Sequence, residues 1–96
     1  MEELTIGSRV VLLREMLGEH GGSVGYVYNL YQDFDNPDKQ GVEVIFSGGG
    51  HDGFSVNEQR LYLDFIDHDP RYSMYEFKNV IQLSKDFRNG YWKFYE

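Results

Sequence analysis

Residues 24–46 read VGYVYNLYQDFDNPDKQGVEVIF, two β-prone runs on either side of a polar interruption. In the second run, Val42, Val44 and Phe46 alternate with Glu43 and Ile45. That period of two is the pattern of a half-buried strand. The first run, VGYVYNLY at 24–31, predicts another strand, with Gly25 breaking the side-chain pattern as at a bulge or a close backbone approach. Residues 33–41 are polar and contain Asn36-Pro37, which suits a loop between consecutive strands. Upstream, RVVLL at 9–13 predicts a buried strand, and Gly18, Gly21 and Gly22 mark a connecting loop. These three strands form a meander, so the expected class is mainly β in a single domain over residues 1–96.

Downstream, FSGGGHDGF at 46–54 raises the question of a phosphate or metal loop. A phosphate loop of the Walker kind needs a lysine and a hydroxyl residue after its last glycine, whereas His51, Asp52 and Gly53 stand there, and Asp52 would repel the anion. The stretch therefore reads as a mobile turn leaving the VEVIF strand. Ser55 and Glu58 have capping-box spacing, and Leu61, Phe65 and Ile66 suit one helical face, which predicts a short helix over about 56–66. Leu61, Leu63 and Phe65 also alternate, leaving a strand open as the other reading. The last quarter is two-sided as well. Met74, Phe77, Val80, Ile81 and Phe87 can share a helical face behind a second Ser73/Glu76 box, whereas Asn89-Gly90 between KDFR and YWKF is a hairpin signal. Its aromatic content favours the hairpin, with Phe87 facing Trp92 and Asp86 facing Lys93. An α+β description stays open beside the mainly β one.

Composition narrows function. The 96 residues are 41% hydrophobic and include eight Tyr, seven Phe and one Trp, enough apolar surface to fold unaided. Cysteine is absent, which excludes disulfides, thiolate metal sites and cysteine nucleophiles and makes the cytoplasm the expected compartment. The start, MEELTIGSRV, lacks a basic region followed by an apolar run, and no window approaches a membrane span, so a soluble protein is expected. Sixteen acidic residues against nine basic ones give a net charge of −7, which repels phosphate backbones and anionic membranes. Direct nucleic-acid binding is disfavoured, and a basic protein partner is the matching expectation.

Gly7, Val10, Gly22, Val24, Gly25 and Val27, followed by VEVIF, resemble the glycine and valine pattern of KOW/Tudor-like SH3-like small barrels over the first half of the chain. The resemblance implies a small SH3-like barrel meander with one short helix and a C-terminal hairpin, in a class made up mainly of binding modules. Modules of that kind that touch RNA usually carry basic loops, whereas Glu15, Glu19, Asp33, Asp35 and Asp38 occupy the corresponding loops here. Small size, acidity and aromatic richness are also similar to accessory proteins of tailed bacteriophages.

Candidate chemistry is sparse. His20, His51 and His68 all fall in expected loops, without the helical spacing or sulfur ligands of a zinc site. Asp33, Asp35 and Asp38 begin like a calcium loop, but positions six and twelve from Asp33 hold Asp38 and Val44 instead of glycine and glutamate. No metal or other cofactor is called for, and no nucleophile elbow is present. The aromatic excess carries more information. Tyr26, Tyr28, Tyr31 and Phe34 beside Asp33, Asp35 and Asp38 would give rigid contact area of a charge suited to a cationic partner, with His51 as a second contact. The expected function is a noncatalytic protein-binding module, in its specific form an inhibitor or modulator of a basic, nucleic-acid-handling host protein. The alternatives are a small-ligand or metal-dependent activity around Ser47, His51 and Asp52, and a structural subunit of a larger assembly.

Overall fold

The computed structural model describes residues 4–15, 20–46, 49–69 and 80–89. Among the described residues, five strands and two helices follow in the order β1 (Ser8–Leu12), β2 (Val24–Gln32), β3 (Gln40–Phe46), β4 (His51–Phe54), α1 (Val56–Tyr62), β5 (Leu63–His68) and α2 (Val80–Asn89). The strands form one antiparallel sheet ordered β4-β3-β2-β1-β5, so the first four make a meander and β5 returns to the free edge of β1. The mainly β expectation holds.

Alternation in β3 decides which face becomes the core. Val42, Val44 and Phe46 are buried there with Val10, Leu12, Val27, Phe54 and Leu63, each ring or branched side chain contributing roughly 1.5–3 kcal/mol. Phe46 and Phe54 meet edge to face, with centroids 6.3 Å apart and planes at 78°. Gly25 lies where a Cβ would stand 2.6 Å from Val44 Cγ1 and 2.8 Å from Phe46 Cδ1, so it is the close approach and not the bulge. The β2 bulge falls further on, between Val27 and Asn29, with Val27 opposite Val44 and Asn29 opposite Glu43. Tyr28 is the extra residue. It shifts the count by one, so Val27 and Leu30 share the core face while Tyr31 turns to the other.

Three expectations are corrected. The stretch read as a mobile turn up to residue 53 contains β4, with Val42 opposite Phe54, Glu43 opposite Gly53 and Ile45 opposite His51. The reversal is complete by Gly50: Gly49, at φ 94°, donates to the Phe46 carbonyl, and the Phe46 N–H donates to Gly50, both at 2.8 Å. The unpaired backbone of β3 outweighs the poor strand propensity of His-Asp-Gly. His51 and His68 are accordingly strand residues, and only His20 lies in a loop.

The helix read over 56–66 ends at Tyr62. The Ser55/Glu58 capping box forms as expected, with Ser55 Oγ accepting from the Glu58 N–H at 3.3 Å and Glu58 Oε1 from the Ser55 N–H at 2.9 Å. From Leu63 the chain is extended because β1 offers an unpaired edge, to which Leu63, Asp64 and Phe65 pair. A second bulge lies between Arg9 and Val10, and Arg9 pairs there with Asp67 through Nε–Oδ1 at 2.8 Å and Nη2–Oδ2 at 2.6 Å.

The C-terminal hairpin is also corrected: Lys85, Asp86 and Arg88 belong to α2. Ile81, Lys85 and Arg88 are exposed and spaced by four and three, while Leu83 and Ser84 are buried, the periodicity of a helix packed on one side. Residues 73–77 and the second hairpin run, residues 91–94, lie outside the described residues.

Candidate protein-binding surface

The loop after β2 is organised by one carboxylate. Asp33 Oδ1 accepts from the N–H groups of Asp35 at 2.9 Å and Asn36 at 3.2 Å, while Oδ2 accepts from the Val56 N–H at 2.7 Å, at the start of α1. The Asp33 N–H donates to Lys39, Lys39 to Asn36, and Gln32 Nε2 to Pro37 at 3.0 Å, which closes the loop on itself. The Val56 hydrogen bond, reinforced by those from Asp35 and Asn36, holds the Asp33 carboxyl below its ordinary range against the opposing effect of burial. On this framework Phe34 is 100% exposed, and Asp35 and Asp38 are exposed beside it.

Tyr31 lies next to this loop on the face opposite the core. Its register partner is Gly41, and a Cβ there would collide with Cζ and Cε2 of the ring, so the tyrosine rests flat on the Gly41 backbone. Its hydroxyl reaches toward Gly53 on β4, where an added Cβ would stand 3.8 Å away, and Glu43 lies alongside. Glu43 Oε1 accepts from Asn29 Nδ2 at 2.7 Å. Burial, then the charges of Glu58, Asp33, Glu43 and Asp52, push the Tyr31 phenol upward. The residue remains 36% exposed.

The other expected contact residues part company with this group. Tyr26 and Tyr28 are buried, 1% and 8% exposed, so neither offers the contact area read from the sequence. Ile45, paired with Tyr26, is fully buried as well; α2, whose Leu83 is fully buried, packs against β3, with Ser84 Oγ donating to the Gly49 carbonyl at 2.5 Å. Periodicity within β2 does not reveal this burial, because it depends on partners from outside the strand. Burial first, then Glu43 and Asp52, pushes the Tyr28 phenol up to about 12. Asp33 is 2% exposed and acts as the loop's internal acceptor, not as a surface charge. His51 is exposed but pairs with Ile45, at the opposite end of β4 from the 33–39 loop.

The remaining cluster is Tyr31, Phe34, Asp35 and Asp38, joined by Glu43 and Gly41, which sequence reasoning did not single out. Only the strand register brings Gly41 and Glu43 to Tyr31, and the bulge that sets that register left no local mark at Tyr28. For the metal alternative, Asp52 Oδ1 accepts from the Gly53 N–H at 2.8 Å, and Ser47 lies outside the described residues. Among the described residues, no group of three His, Cys, Asp or Glu side chains is placed to hold a metal ion, and no helix is long and apolar enough to cross a membrane. Compared with known proteins, the chain matches no family model, no curated protein and no solved structure.

Proposed function

We propose that this chain is a noncatalytic protein-binding module of the small SH3-like barrel type, which takes a basic protein partner on the edge formed by Tyr31 and residues 33–39. The observation that carries the reading is Phe34, fully exposed on a loop closed by the three hydrogen bonds of Asp33. A large apolar side chain presented on a fixed loop binds with little ordering cost, and the flanking Asp35 and Asp38 select a cationic surface. The return of β5 to β1, the two bulges and the short helix between β4 and β5 support the barrel reading. With a net charge of −7, the module suits the role of an inhibitor or modulator that occupies the cationic groove of a nucleic-acid-handling protein.

The test is affinity capture from a host extract, with the wild type and a Phe34→Ala, Asp35→Asn, Asp38→Asn variant side by side. A basic protein retained by the wild type at low salt, released near ~0.5 M salt and lost with the variant is the expected result. The same proteins retained by both forms, or no basic protein at all, would overturn the reading.

A further inference from the structure

We propose that Tyr31 is the seat of an arginine side chain of the partner, the guanidinium stacking on the open face of the ring and pairing with Glu43. This rests on the binding-module reading above and adds the chemistry of the contact. One face of the ring is spent on Gly41, whose missing side chain lets the tyrosine lie flat, and Tyr31 as a residue is still 36% exposed. Glu43, on the same sheet face one strand over, uses Oε1 for Asn29, while Oε2 takes no hydrogen bond among the described residues. Asn29 thus orients the carboxylate without neutralising it.

The groups whose charge reaches the Tyr31 phenol are Glu58, Asp33, Glu43 and Asp52, all acidic. An aromatic face under a uniformly negative field attracts a cation through both the ring quadrupole and the carboxylates. Arginine fits better than lysine because its planar guanidinium stacks on the ring while its edge hydrogen-bonds a carboxylate at the side. A lysine ammonium is a compact point charge, with no planar face to stack and no fork for the carboxylate.

The experiment is an amide-resonance titration of the isotope-labelled full chain with two short capped peptides, a Gly-Arg repeat and a Gly-Lys repeat. The arginine peptide should shift the Gly41 and Gly53 amides and bind about three- to fivefold tighter than the lysine peptide. Glu43→Gln should remove most of that preference, Tyr31→Phe should keep it, and Phe34→Ala should leave the peptide affinity within about twofold. Equal affinity for the two peptides, or shifts confined to residues 33–39, would overturn the arginine seat. Equal peptide affinity together with salt-sensitive capture of a basic protein would sink the seat and leave the module reading standing. Arginine-selective shifts at Gly41 and Gly53 without any captured basic protein would do the reverse.

Discussion

Asp33 Oδ2 accepts the Val56 N–H at 2.7 Å and so ties the loop after β2 to the first turn of α1, twenty-three residues further along the chain. The same side chain closes its own loop through Asp35 and Asn36. One carboxylate therefore holds both the platform under Phe34 and the start of the helix that leads into β5.

Asp33→Ala should lower the melting temperature by several degrees at neutral pH and loosen the loop, seen as faster amide exchange at Asp35, Asn36 and Val56. The acid dependence follows from a carboxyl held below its ordinary value of 3.8 in the folded protein. Its contribution is complete above that value and is lost as pH falls through the lower folded value. The stability difference between wild type and variant, followed by thermal melts, should therefore shrink toward pH ~2. A constant difference down to that pH would contradict the assignment.

Tyr28 controls the alkaline side. Its phenol ionises at about 12 in the folded protein against 10.0 ordinarily, so its contribution is full below pH 10 and is lost as pH rises toward 12. Ultraviolet titration should show late-ionising tyrosine absorbance, and Tyr28→Phe should reduce it by one tyrosine's amplitude and reduce the loss of stability across the same window. An undiminished late amplitude in the variant would contradict the assignment to Tyr28.

Gly25→Ala places a methyl 2.6 Å from Val44 Cγ1, 2.8 Å from Phe46 Cδ1 and 2.9 Å from the Ile45 carbonyl oxygen. The first two are core side chains and the third is backbone, so the strand pair must shift. Urea unfolding should show a loss of about 1–3 kcal/mol. A neutral substitution would mean that β2 and β3 do not approach as described.

Leu83 and Ile81 separate the helix from the hairpin reading of the last quarter. In a strand these two positions would share a face, whereas α2 leaves Leu83 fully buried and Ile81 67% exposed. Leu83→Ala should cost about 2–5 kcal/mol by denaturant unfolding, while Ile81→Ala should stay within ~0.5 kcal/mol. Equal costs at the two sites would contradict the helix.

Several features needed only neighbours in sequence, and the sequence by itself determined them. The Ser55/Glu58 box, the alternation of Val42, Val44 and Phe46, and the polar loop around Asn36-Pro37 are settled by contacts within a few residues. Tertiary structure decided the rest. Leu63–His68 became a strand because β1 had an unpaired edge, and His51–Phe54 because β3 had another. Tyr31 lies on the face opposite the core because the extra residue at the β2 bulge shifts the side-chain count, which puts it on the same face as Tyr26, buried there while Tyr31 stays exposed. Hydrogen-bond completion between strands and burial of a face depend on partners supplied from elsewhere in the chain, and local propensity carries no information about those partners.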